Sequence, residues 1–353
     1  MKNQKIIISV SLLFVFIFAS STLLKYPSKI NKLKCFSMIW NDHITKRSWI
    51  YLNQDEQKVY KKNSDITDGD LLGTPKYSWD AIYTDAFTNE KFNTSSQTNA
   101  SFKFVTLGYK VEDQKKEVGF DFIVLNKNKK RDEPFIFKIS NNSQKENPKT
   151  LGTLREVGFV LDNWPQYWRN EKKWTGGLHS FSDNYQVEKL DRLVVKFKFR
   201  LVNYNKPLYD EMIQKKWLGS YATCDFRFNE FDENGKLINS FLLGVVFSNP
   251  LNVDFNENSK DDILFGSMKT ENKSTYRMLL LHGNKVGIKE INIVTSQNDF
   301  KTVEIDFKPL IEKYFNINKR HKNIVTGLDI YSATRASDFT YEIQDLRMTG
   351  CIQ

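Results

Sequence analysis

In the segment Leu193-Val-Val195-Lys-Phe197-Lys-Phe199-Arg-Leu201 the odd positions are all apolar, while Lys196, Lys198 and Arg200 are basic. Successive side chains on a strand point to opposite faces, so this period of two reads as a half-buried strand with one wet face. A helical period of 3.6 would scatter the same residues around the axis. The pattern returns in Ala222 to Phe228, where Thr223, Asp225 and Arg227 take the polar positions. Asn234-Gly235 follows, a pair that favours the positive φ angles of a tight hairpin. Ser240 to Phe247 is then apolar almost throughout, as a central strand covered on both faces would be.

Further strand-length segments are Phe120–Leu125, Phe135–Ile139, Gly158–Leu161, Tyr276–Leu281, Glu290–Val294, Val303–Phe307, Val325–Tyr331 and Tyr341–Met348, with Pro309 to Phe315 as one short helix. About ten to twelve strands without interleaved helices argue against a parallel α/β fold and for an all-β, antiparallel two-sheet β-sandwich. The 27 Phe and 15 Tyr among 353 residues suit pleated, half-buried surfaces. No fixed repeat is visible, which argues against a propeller or a solenoid. Residues 76–353 are expected to form the sandwich as one domain, and the polar residues 25–75 an N-terminal arm.

Residues 1–24 read as a targeting segment. Lys2 and Lys5 form a positive start, Ile6 to Phe18 an apolar stretch, and Ala19-Ser20-Ser21 a small-residue site with cleavage before Thr22. The apolar run reaches Leu24, long enough for an uncleaved anchor as the alternative. Either route places the body outside the cytosol, secreted or on an extracellular or periplasmic face, with membrane contact only through that segment. The net charge of +10 comes from Lys and Arg interleaved with 42 acids, without a basic helix or tail, so nucleic acid is not expected as a partner. His43, His179, His282 and His321 are far apart and no CxxC spacing occurs, so neither metal nor cofactor is expected. Cys224 shares a strand face with Ala222, Phe226 and Phe228 and reads as an inert core thiol. Asn93, Asn99, Asn141 and Asn272 head glycosylation sequons, which would mark surface loops of a glycoprotein.

Three places offer chemistry. Trp164, Tyr167, Trp168 and Trp174 crowd a segment broken by Pro165, Gly176 and Gly177, with Asn163, Arg169, Asn170 and Glu171 beside them. Aromatic faces match the C–H faces of sugar rings, so the segment suits saccharide binding; equally, its rings could plug the sandwich edge. The polar strand positions Lys196, Lys198, Arg200, Asp225 and Arg227 suit either a ligand groove or a plain solvated face, and Glu230 is placed to join Asp225. Val303-Glu-Ile-Asp306 holds a Glu-x-Asp but is followed by Lys308 and Pro309, and is read as structural.

Phe300 to Glu312 is similar to the strand and short helix of concanavalin-like jelly rolls. Val325-Thr-Gly-Leu-Asp329-Ile-Tyr331 and Phe339 to Met348 resemble their closing strand pair. Secreted carbohydrate-binding modules and clan C glycoside hydrolases, the cellulases and xyloglucanases, share this architecture. In those hydrolases a Gly-x-Glu-x-Trp strand supplies the acid/base. The resemblance implies Asp329 at that place, with Tyr331 for the Trp, and Asp225 in Thr223-Cys-Asp225-Phe-Arg at the nucleophile's. A jelly roll whose first and last strands pair would also bring Cys35 to Cys351 as a disulfide, which export permits. The expected function is polysaccharide or glycan binding by a jelly-roll protein. A glycoside hydrolase or polysaccharide lyase on the same scaffold, and a surface interaction protein without a sugar site, are the alternatives.

Overall fold

The computed structural model describes residues 33–38, 49–53, 58–62, 80–83, 103–109, 118–125, 136–146, 153–162, 186–208, 219–251, 263–269, 275–296 and 298–353. Two sheets account for most of it. The first has six strands: β1 (Lys34–Ser37), β6 (Gly119–Val124), β7 (Ile136–Asn142), β9 (Arg192–Asn205), β14 (Lys301–Asp306) and β16 (Asp338–Ile352). They run in the order β14-β9-β16-β7-β6, with β1 pairing with β16. The second has ten: β2 (Trp49–Asn53), β3 (Lys58–Lys62), β4 (Asp80–Tyr83), β5 (Lys103–Leu107), β8 (Arg155–Asp162), β10 (Gly219–Phe231), β11 (Leu237–Ser248), β12 (Ile263–Lys269), β13 (Thr275–His282) and β15 (Lys322–Arg335). Their order is β12-β13-β11-β10-β15-β8-β5-β2-β3-β4. Apart from the β1–β16 pair, pairing is antiparallel except for β11 with β13 and β2 with β5, which are parallel. This is the β-sandwich that the alternation predicts.

The core lies between the two inner faces. Phe197 and Phe199 of β9 each meet Phe247 of β11 edge-on, with ring centroids 5.0 and 4.9 Å apart. Phe228 stacks on Phe241 at 4.6 Å across the β10–β11 hairpin, whose turn carries Gly235 at φ 79°. Each fully buried ring of this kind contributes about 2 kcal/mol through desolvation. Helix α1 (Phe307–Tyr314) sets Phe307 against Phe226 of β10, with ring centroids 5.3 Å apart. Asp306 caps it by accepting from Lys308 N and also accepts from Leu193 N, which ties the helix start to β9. Glu304 of this segment pairs with Lys196, and Asp306 with Arg192.

Three expectations need correction. Lys34–Ser37, Trp49–Asn53 and Lys58–Lys62 form strands, so residues 25–75 are not merely a polar arm. The compact sandwich unit runs from Cys35 to Ile352. These strands are only four or five residues long, too short for alternation to rise above their polar flanks. Glu290–Val294 is not a strand: only isolated bonds such as Ile291 N to Phe247 O hold it, and Ile293 is 77% exposed. Asn141 is fully buried on β7 rather than lying in a surface loop. Asn93, Asn99, Asn272 and the targeting segment 1–24 lie outside the described residues.

Cys35 and Cys351 are joined in a disulfide across β1 and β16. Cys224 is free and buried, and burial raises its thiol well above the ordinary range.

Candidate functional site

The chemistry gathers on the outer face of the ten-stranded sheet. On β10 the residues Ala222, Cys224, Phe226 and Phe228 enter the core. Period two therefore turns Tyr221, Thr223, Asp225 and Arg227 outward. On β15, Leu328 and Ile330 are core residues, leaving Asp329, Tyr331 and Ala333 outward. The antiparallel register sets Thr223 opposite Tyr331, Asp225 opposite Asp329 and Arg227 opposite Gly327. On the other side of β10, Gly244 of β11 lies opposite Asp225, and β13 continues the row with Leu280. Tyr276 and Met278 lie on the same face of β13, and Glu156 reaches the cluster from β8, opposite Ala333.

Glycines make room for three of these side chains. A Cβ at Gly244 would sit 2.5 Å from Asp225 Oδ1, and one at Gly327 would sit 2.7 Å from Arg227 Nη2. A Cβ at Gly158 of β8 would collide with Tyr331 Cβ. The guanidinium thus lies over bare backbone, where it reaches Asp329.

Arg227 Nη2 donates to Asp329 Oδ1 at 2.7 Å, and the two side chains are 21% and 14% exposed. Asp225 is only 1% exposed. Its Oδ1 accepts from Thr223 Oγ1 at 2.6 Å, while Oδ2 is buried without a hydrogen-bond partner of ordinary geometry. Burial pushes the Asp225 carboxyl up to about 8; the negative charges of Asp329 and Glu156 add to this, and the Thr223 and Tyr331 hydroxyls oppose it. Burial also raises Tyr221, Tyr276 and Tyr331, which stay neutral hydroxyls. At neutral pH the patch therefore pairs a protonated carboxyl with an ion-paired carboxylate on the next strand. Directly opposed residues have Cβ atoms about 4.5–5.5 Å apart, so the two side chains are neighbours on this face. Chemically such a pair can donate a proton from one side and stabilise positive charge from the other.

Of the residues singled out from sequence, Asp225, Arg227 and Asp329 come together. Lys196, Lys198 and Arg200 do not: they belong to β9 of the other sheet, where Arg200 pairs with Glu342. Two alternating strands look alike in sequence whichever sheet they join. Glu230 also leaves the group, because five residues of strand turn it to the opposite face from Asp225. There it binds His321 Nδ1 at 2.8 Å and Asn239. Trp164, Tyr167, Trp168, Trp174, Asn163 and Arg169 lie outside the described residues. Sequence reasoning placed Thr223 on the polar face with Asp225 but passed over Tyr221, Tyr276 and Gly244 as parts of the site. The alternation Tyr276-x-Met278-x-Leu280 marks one face of β13, but only the register brings it to Asp225. Among the described residues, no three His, Cys, Asp or Glu side chains gather so as to hold a metal ion.

No protein-family model matches the chain, and no curated protein matches it. It is similar to the family 11 xylanase from Neocallimastix patriciarum, at 8% identity and a TM-score of 0.34 over 66% of this chain and 88% of that one. It is likewise similar to a family 12 xyloglucanase from Bacillus licheniformis, at 8% identity and 0.35 over 65% and 87%. An endoglucanase from Rhodothermus marinus gives 7% and 0.33 over 66% and 93%. These are jelly-roll proteins of the class that the Gly327 to Tyr331 strand resembles, and at these values nothing about activity follows from them.

Proposed function

We propose that this protein binds carbohydrate on the outer face of its ten-stranded sheet, over Asp329, Arg227, Tyr331 and Tyr276, and that it acts outside the cytosol. The observation that carries the reading is the partly open Arg227–Asp329 pair set among tyrosines on a sheet face. Sugar hydroxyls can bridge a carboxylate and a guanidinium, while apolar ring faces lie on tyrosine. The Cys35–Cys351 disulfide supports an oxidising compartment, consistent with the leader read in residues 1–24. Trp164, Tyr167, Trp168 and Trp174 are proposed as further stacking platforms on sequence grounds.

An array of neutral and acidic polysaccharides tests this. Wild type should retain at least one class, and Arg227→Ala should weaken that retention at least tenfold; wild type that retains none would overturn the reading.

A second reading, glycoside hydrolysis, is favoured by one observation: Asp225, with its carboxyl raised by burial, stands in direct register with Asp329, which is paired with Arg227. In that chemistry Asp225 holds the proton and Asp329 the negative charge, the reverse of the roles that the strand resemblance implies. Release of reducing ends that disappears in Asp329→Asn, with binding intact, would support it. No release from any bound polysaccharide would remove it.

A further inference from the structure

We infer that the end of the sandwich carrying Lys319, Arg320 and Lys322 docks on an anionic lipid surface. The inference goes beyond the sugar reading and uses none of the residues of that site.

Unmatched positive charge gathers at this end. Between α1 and β15 the chain runs Asn318-Lys319-Arg320-His321-Lys322, and Lys319, Arg320 and Lys322 are exposed, as is Lys313 in the last turn of α1. Among the described residues none of these four cations pairs with a carboxylate. By contrast Lys196, Lys301, Arg192, Arg200 and Arg347 do, with Glu304, Asp299, Asp306, Glu342 and Asp345. The acids beside the loop are engaged within the protein. Glu230 binds His321 Nδ1 at 2.8 Å, Glu188 accepts from Asn323 N, and Glu312 pairs with Lys308. The exposed Glu233 of the β10–β11 hairpin is offset by exposed Lys236. The loop is also held in place: Asn318 Oδ1 accepts from Arg320 N, and Asn323 Nδ2 donates to Asn318 O and His321 O. Its cations are therefore presented with little left to order on binding.

The entry point of the chain favours a bilayer as the partner. Glu188, bonded to Asn323, lies shortly before β9, and Asp191 N donates to Cys351 O. Cys351 in turn holds Cys35, so the residues before Cys35 join the unit at this basic end. Those residues contain the apolar run from Ile6 to Leu24, then Lys25, Lys29, Lys32 and Lys34, and no Asp or Glu. Retained or cleaved, such a run brings the body out at a membrane surface. Anionic headgroups attract Lys and Arg within a Debye length, about fivefold in affinity for each residue. Arg227 lies four residues before Phe231 on the face of β10, away from the strand end, so docking leaves the proposed sugar site open.

Flotation of the full chain with vesicles tests this. Phosphatidylcholine vesicles report any hold by the apolar run, and vesicles with added phosphatidylglycerol report the charge. Wild type should prefer the anionic vesicles on the order of a hundredfold, and about 1 M salt, with a Debye length of about 3 Å, should remove the preference. Lys319→Gln, Arg320→Gln and Lys322→Gln together should lose most of it, with the hold on neutral vesicles and the thermal midpoint unchanged. Arg320→Gln alone should lose about fivefold, which keeps the test open if the triple variant does not fold. Equal binding to both vesicles by wild type would overturn the inference. A preference that survives the triple variant would do so too, by placing it on Lys25 to Lys34. Retention on dextran sulfate without any preference among vesicles would assign the loop to a soluble polyanion and overturn the lipid surface.

Discussion

At the scale of the residue, Asp225 is held in its fold at a thermodynamic cost. Its carboxyl sits at about 8 in the folded protein, raised from 3.8 chiefly by burial. Between those values the folded chain keeps a proton that the unfolded chain has released. Stability from this group is therefore complete below about pH 4 and declines as pH rises towards 8, by about 1.4 kcal/mol per pH unit. Asparagine has the same shape, still accepts from Thr223 and does not titrate. Urea unfolding should find Asp225→Asn close to wild type at pH 4 and more stable by a few kcal/mol at pH 8. Equal stability of the two proteins at both pH values would contradict the burial of a titrating carboxyl. An acid placed where an amide would be more stable is what a working site looks like, since structure alone gives no reason for it.

At the scale of the element, Asn141 shows how the two sheets are locked. Its amide nitrogen on β7 donates to Arg155 O of β8 and Ser332 O of β15, at 2.9 and 3.0 Å. Its oxygen accepts from Tyr109 Oη and from Thr334 Oγ1. One side chain thus spans the layers with both donors and both lone pairs in use. Asn141→Asp removes the donors and buries a charge, and should cost about 3 kcal/mol. The measurement is the urea midpoint, with part of the loss recovered at acid pH where the new carboxyl is neutral. The same residue marks where sequence reading stops. Strands β9 and β10 were legible because they are long and alternate cleanly, β11 because a long apolar run follows the Asn234-Gly235 turn, and α1 because Pro309 and the following apolar positions break that alternation. Asn141 reads as a sequon because a triplet says nothing about which way a strand residue faces. Likewise Asp225 and Asp329 could be named from sequence, but not their opposition, because register is set by pairing across 104 residues of chain. Tyr276 and Gly244 came from strands with no local sign of which neighbours they would meet.

At the scale of the whole molecule, one covalent link encloses nearly all of the sandwich unit. Cys35 and Cys351 are 316 residues apart, and the unit itself runs from Cys35 to Ile352. Their strands, β1 and β16, are neighbours in the six-stranded sheet, so the link adds little constraint to the native state. Its main effect falls on the unfolded chain, whose ends it holds together. In the chain-entropy picture a loop this long contributes about 5 kcal/mol. Cys35→Ser with Cys351→Ser should therefore lower the thermal midpoint by several degrees, and a reductant should do the same to wild type. Thiol counting separates this from a packing effect. Native wild type should show no reactive thiol, because Cys224 is buried, and denatured unreduced protein should show one. Three thiols on denaturation without reductant would mean that the bridge does not form. The site on the ten-stranded sheet lies apart from β1 and β16, so the double variant should keep the Asp225 titration unchanged: the link holds the ends of the sandwich, while the register of β10 and β15 sets the chemistry.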